Sequence, residues 1–192
     1  MNPIEEHTSF SETDPTDVTY SLNVGDRIHQ VIAQVLAEGI APTRDKRIAQ
    51  TTSTTSAVLA AHPMKHGRAR AAAMDVSTAA SCYFHRFLLD PNWEFVASEM
   101  PLGGGRADLV FRSKLTAEWL VDEVKTTRGR TDDAKLRPQI DRYLAGGVRR
   151  WNKLFVGVRC CALAQPRKSR LFVPTSQRSV LLTDTSLAGG VA

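Results

Sequence analysis

The sequence predicts an α/β fold: one domain with a central mixed sheet of four to five strands flanked by helices, in the order α–α–β–β–β–α–β. Three observations predict it. Up to about residue 90, apolar residues recur at helical spacing; from Trp93 onward, short apolar runs are separated by turn residues. The length of 192 residues suits a single domain with its own core. Hydrophobic content of 42% and charged content of 23% are ordinary globular values, which argues against collagen-like, disulfide-scaffold and wholly disordered classes.

The elements follow in order. Residues 1–21 are polar and acidic, contain Pro3 and Pro15, and read as a flexible arm. Asn23 then looks like an N-cap, with Asp26 as its capping-box partner. Val24, Ile28, Val31, Ile32, Val35 and Leu36 form the stripe of a first helix, which Gly39 ends. Residues 40–63, with Pro42, Pro63 and the Thr51–Ser56 cluster, read mostly as loop. A second helix is expected from about Lys65 to Leu89, along the stripe Ala69, Ala72, Ala73, Val76, Ala80, Tyr83, Phe84 and Phe87; Asp90-Pro91-Asn92 stops it. Strands are expected at Trp93–Glu99, Arg106–Phe111, Glu118–Lys125 and Leu154–Val158, with a fifth at Leu171–Val173. Pro101 to Gly105 reads as a turn, and Thr126–Arg137 as a loop. Pro138 fits the first position of a short helix that ends at Gly146-Gly147. The core domain is thus expected over residues 22–175, with a tail from 176 to 192.

The net charge of +5 is unevenly laid out. Residues 1–21 hold five acids and no Lys or Arg; without them, 25 bases face 15 acids. From Arg142 to Thr183 there is no acid, and the stretch carries Arg142, Arg149, Arg150, Lys153 and five further bases. Such a surface attracts polyanions, or is simply a solvated basic face. The three cysteines, two of them adjacent, lack zinc spacing and read as reduced thiols of a reducing compartment. The polar N-terminus does not read as a signal peptide, and no apolar run approaches a membrane span, so a cytoplasmic protein without a membrane partner is expected.

The chemistry concentrates in residues 99–125. Asp108 interrupts an apolar strand, and Glu123 ends another with Lys125 on its own side, since a strand alternates faces. A hairpin joining these strands brings Asp108 and Glu123 together. Two neighbouring carboxylates resist joint ionisation, and a divalent cation relieves the conflict. Mg²⁺ or Mn²⁺ between them would polarise a phosphate and activate water, with Lys125 orienting that water or stabilising developing charge. A Glu-x-Lys triplet alone is common and reads equally as a strand-end ion pair.

In order and spacing, Gly105-Arg106-Ala107-Asp108 followed by Asp122-Glu123-Val124-Lys125 resembles the PD-(D/E)XK nuclease superfamily, in particular its RecB-like branch. That branch commonly has Gly and a variable pair before the first Asp, so the lack of Pro at Ala107 is no serious departure. Gln139 and Tyr143 match its Gln-x-x-x-Tyr helix, and Gly25 and His29 match the Gly-x-x-x-His of its first helix. Glu99 stands where relatives often carry a further acid.

The resemblance implies a restriction-endonuclease-like core and a metal-dependent deoxyribonuclease, expected to act as an exonuclease in DNA processing, recombination, repair or defence. It implies a metal held by Asp108, Glu123 and the Val124 carbonyl, with His29 and Glu99 completing that shell or holding a second ion. Gln139 and Tyr143 would support Lys125 or contact DNA, and Arg106, Arg128, Arg130, Arg142, Arg149, Arg150 and Lys153 would grip DNA. Relatives with an iron–sulfur cluster use four cysteines; with three, none is expected here. No phosphate-binding motif of a helicase is present, so any motor or recombination partner would be a separate chain. Small enzymes of this type often form rings or dimers, which leaves a homo-oligomer open. The alternative is a catalytically inactive nucleic-acid-binding or assembly subunit that keeps the fold, because fold alone does not establish activity.

Overall fold

The computed structural model describes residues 15–63, 68–126, 133–174 and 179–181. The elements are α1 (Pro15–Glu38), α2 (Arg44–Ala61), α3 (Ala69–Arg86), β1 (Trp93–Leu102), β2 (Gly105–Ser113), β3 (Trp119–Lys125), α4 (Asp133–Trp151), β4 (Phe155–Ala162), β5 (Arg170–Phe172) and β6 (Ser179–Leu181). The six strands form one mixed sheet in sequential order. All neighbours are antiparallel except β3 and β4, which are parallel and joined through α4.

Two apolar cores cover the two faces of the sheet. Helices α1, α2 and α3 pack on one face over Leu109, Phe111, Leu120 and Val124; α4 packs on the other over Val110, Val121, Val158 and Cys160. Strand β3 is therefore buried on both sides, as a central strand should be. No helix among the described residues is long and apolar enough to cross a membrane.

The apolar stripe of α1 is buried as expected, and that of α3 is buried except at Ala69, which is exposed at the helix start, and Ala73, which is half-buried. Other expectations need correction. Helix α1 starts at Pro15, which its fixed φ suits, so Asn23 lies inside the helix and caps nothing. Residues 44–61 are helical and not loop. The inward stripe of α2 is Thr51, Thr54, Thr55 and Val58, a helical spacing carried mostly by threonines. Their polarity is absorbed locally: Thr51 Oγ1 donates to the Arg47 carbonyl at 2.8 Å and Thr55 Oγ1 to the Thr51 carbonyl at 2.7 Å. Strand β6 lies within the stretch read as a tail.

Helix α4 is longer than expected at both ends. Pro138 is inside it, and Gly146-Gly147 does not end it. These glycines make room instead. A Cβ on Gly146 would stand 2.6 Å from the Gly103 nitrogen, and one on Gly147 would stand 2.3 Å from the Phe155 ring. Gly147→Ala is accordingly expected to cost about 1–3 kcal/mol through overpacking. Urea unfolding measures it; wild-type stability in that variant would mean that α4 stands further from β4.

The β1–β2 turn is Gly103-Gly104, with φ of 60° and 81°. Two successive positive φ values match the right-handed twist of a two-residue hairpin and favour glycine. The turn tucks under α4, since a Cβ on Gly103 would meet the Arg142 carbonyl.

Candidate active site

The site forms where β1, β2 and β3 meet the middle of α1 and the first half of α4. The β2–β3 ladder runs from Arg112↔Trp119 to Leu109↔Asp122. Past that pair, the Asp108 side chain replaces a backbone acceptor: the Val124 N–H donates to Asp108 Oδ2 at 2.7 Å. This bond holds the Asp108 carboxylate beside β3.

Helix α1 supplies His29. Gly25, four residues earlier on the same face, lets the helix approach: a Cβ there would lie 3.2 Å from Thr126 Oγ1. His29 Nε2 lies 3.1 Å from the Val124 carbonyl, which can only accept, so Nε2 carries the proton and donates. The Nδ1 lone pair then faces Asp108 Oδ1 at 3.7 Å. Burial lowers the His29 pKa, favouring this neutral form. An imidazole that donates one N–H to a backbone carbonyl and aims the other nitrogen at a carboxylate is set up as a metal ligand.

Glu99 approaches from β1. It sits between the pairs Ser98↔Leu109 and Met100↔Ala107, opposite Asp108, with φ of 51°. A left-handed glutamate inside a strand costs of order 1–3 kcal/mol, and such outliers cluster at functional sites. Ligand atoms of His29, Glu99 and Asp108 lie within 4.8 Å of one another. Glu99 also accepts an ion pair from the Arg106 Nε at 3.3 Å.

Glu123 points toward α4. Its Oε1 is 2.5 Å from Lys125 Nζ and accepts from Gln139 Nε2 at 2.8 Å. Gln139 Oε1 accepts from Lys125 Nζ at 3.2 Å, and its Nε2 also donates to Tyr143 OH at 2.9 Å. Tyr143 OH donates in turn to the Arg106 carbonyl at 2.5 Å. Glu123 Oε2 is buried without a hydrogen-bond partner among the described residues. An orphaned carboxylate oxygen is costly, and a cation would satisfy it.

Asp108 and Glu123 are both raised to about 7. Burial is the largest cause for each, and the charge of Asp108 is the next for Glu123. The consequence for stability has a definite sign. The folded, ion-free protein binds these protons more tightly than the unfolded chain, whose carboxyls titrate near their ordinary values. Stability is therefore lost as pH rises from the ordinary carboxylate range toward 7, with a slope of about 1.4 kcal/mol per pH unit for each proton. In chelator, the wild type should lose stability over this window more steeply than Asp108→Asn/Glu123→Gln; parallel unfolding profiles would contradict this.

A cleft of about 750 Å³ opens onto His29, Glu99, Arg106 and Asp108, with Gln30 and Gln34 of α1 on one side and Ala57, Val58 and Ala61 of α2 behind. The wall from α2 was missed in the sequence because its residues read as loop. The buried pair Asp122–Arg159 was also missed. Arg159 donates bidentately to Asp122 at 2.7 and 2.5 Å, and Tyr83 OH donates to Asp122 at 2.6 Å. Arg159 is 0% exposed, which removes it from the basic surface predicted for residues 142–178.

The structure thus gathers His29, Glu99, Arg106, Asp108, Glu123, Val124, Lys125, Gln139 and Tyr143 around one site. The Val124 carbonyl, read as a metal ligand, is here the acceptor of His29. Arg142 lies on α4 one turn past Gln139, whereas Arg149, Arg150 and Lys153 lie at or beyond its far end. Arg128 and Arg130 lie outside the described residues. Cys160 and Cys161 are buried on β4, and Cys82 is half-buried. No family model, no curated protein and no solved structure matches the chain.

Proposed function

We propose that the chain is a Mg²⁺- or Mn²⁺-dependent nuclease that hydrolyses DNA phosphodiester bonds, built on the PD-(D/E)XK plan of the RecB-like branch. The observation that carries this reading is the buried Asp108–Glu123 pair with an orphaned Glu123 oxygen and Lys125 fixed alongside. The donor set of His29 Nδ1 with the Glu99 and Asp108 carboxylates fits a hard divalent cation; Glu123 stands outside that 4.8 Å group and would join it through its unpaired oxygen. When bound, the ion supplies charge that polarises the scissile phosphate and lowers the pKa of water.

The side chains do the rest. Lys125 brings the cation that counters charge growing on the phosphate or holds the attacking water by its lone pair. Gln139 fixes the ammonium, and Tyr143 fixes Gln139 against the backbone of β2. Asp108 stays in place because its second oxygen is tied to β3. Arg106, exposed beside Glu99, is positioned to grip a phosphate at the mouth of the cleft. In the reaction, a water oxygen bonds to phosphorus and releases a proton to solvent, the bond to the leaving oxygen breaks, and that oxygen takes up a proton from solvent.

The test is digestion of linear and circular, single- and double-stranded DNA with Mg²⁺, Mn²⁺ or chelator. Metal-dependent loss of linear DNA with circles spared supports an exonuclease. DNA binding without cleavage under every condition would favour the inactive subunit instead.

A further inference from the structure

We infer that the outer face of α4 is a track for double-stranded DNA, ending in a second phosphate-binding platform about 20 Å from the proposed catalytic site. This rests on the nuclease reading for its occupant but on different residues. Pro138, Arg142, Ala145 and Arg149 recur at four-, three- and four-residue steps along the exposed side of the helix. They form one stripe from the Gln139 end to the far end. The exposed Ala145 between the two arginines leaves room for a duplex backbone to lie against the helix. Asp141, the acid nearest this stripe, is already held by Arg137 Nε at 2.8 Å.

At the far end the stripe meets a built array. Trp119 and Trp151 stack with centroids 4.8 Å apart and planes 9° from parallel. Arg112 lies over Trp119 at 5.8 Å and Arg150 over Trp151 at 5.7 Å. Arg149 and Lys153, both exposed, lie two residues to either side of Trp151 in the chain. The indole faces are taken by each other and by guanidinium groups, so the array offers charge and not a surface for base stacking. Its ligand is the phosphate backbone, read without sequence preference.

Two paths give the separation. Six strand steps from Lys125 back to Trp119 span about 20 Å. Eleven helical steps from Gln139 to Arg150 span about 16 Å. At 3.4 Å per base pair, a duplex must extend roughly six base pairs past the site to reach the platform.

The experiment is fluorescence anisotropy of labelled duplexes, 6 to 30 base pairs long, titrated in chelator so that no cleavage is needed. The wild type should bind more tightly as length passes the reach of the platform. Arg149→Glu/Arg150→Glu should lose about tenfold or more on the 30-base-pair duplex, and Arg149→Gln/Arg150→Gln should lower the salt slope by about 2. Unchanged unfolding curves for the Gln variant would exclude a folding defect. Wild-type affinity and salt slope in a folded Gln variant would overturn the proposal, and so would absence of wild-type DNA binding. Binding that depends on these arginines without any cleavage would leave this inference standing and sink the nuclease reading alone.

Discussion

Asp122→Ala is expected to destabilise the protein by about 3–5 kcal/mol, a large share of the roughly 5–15 kcal/mol that holds a domain together. The reason is the partner left behind. Arg159 has no exposed surface and donates twice to Asp122, and Tyr83 OH leans on the same carboxylate. Removing the acid strands a buried cation and a buried hydroxyl together. The pair joins β3 to β4 at the register Asp122↔Arg159, one residue from Glu123, and through Tyr83 ties both to α3. Replacing all three groups with apolar side chains, as in Asp122→Leu/Arg159→Met/Tyr83→Phe, should recover most of the loss, since no charge then remains to be paired. Urea unfolding reads both variants. An Asp122→Ala protein within 1 kcal/mol of wild type, against the roughly 3 kcal/mol expected at least, would mean that Arg159 finds water.

The second large effect separates chemistry from metal binding. Lys125→Ala should cut DNA cleavage by about 10²–10³-fold, the scale seen when one preorganised donor at a developing charge is removed. It should leave Mn²⁺ binding, measured by calorimetry, largely intact, because Lys125 offers no lone pair while protonated. Asp108→Ala should lose both cleavage and Mn²⁺ affinity. It also frees the Val124 N–H that Asp108 accepts, so some stability is lost as well. Cleavage at the wild-type rate by folded Lys125→Ala would remove Lys125 from the mechanism.

Much of the site was legible because polar residues interrupt apolar strands. Asp108 and Glu123 stand inside buried β2 and β3, where a carboxylate has no reason to sit without a partner. Gly25 and His29 stood out only through the resemblance to a Gly-x-x-x-His helix, and the structure gives the spacing a cause in the close approach of α1 to Thr126. Helix α2 was illegible because threonine carries its buried stripe, and threonine clusters read as loop or strand. The length of α4 was misread because Gly146-Gly147 has the chemistry of a helix stop, while its role depends on Gly103 and Phe155, which lie far away in sequence. The Asp122–Arg159 pair spans 37 residues, and no local pattern reports such a partner. Its only trace is that Arg159 sits within an otherwise apolar strand and Asp122 follows the apolar run Trp119–Val121.

The basic surface changed most between sequence and structure. Residues 142–178 read as one continuous patch, but Arg159 is buried and contributes nothing to it. What remains on α4 is directional, from Arg142 beside the site to Arg149 and Lys153 at the far end, while exposed Arg167 and Lys168 lie apart on the turn before β5. Charge layout along a helix therefore says more about how DNA would lie than the net charge does.

The most direct measurement adds Mn²⁺ to chelated wild type and Asp108→Ala, prepared in parallel, on end-labelled linear DNA. The wild type should begin cutting only when the metal is added, and Asp108→Ala should stay inert. Failure of the wild type to cut DNA in any form with either metal, or equal cutting by Asp108→Ala, would contradict a metal-dependent nuclease.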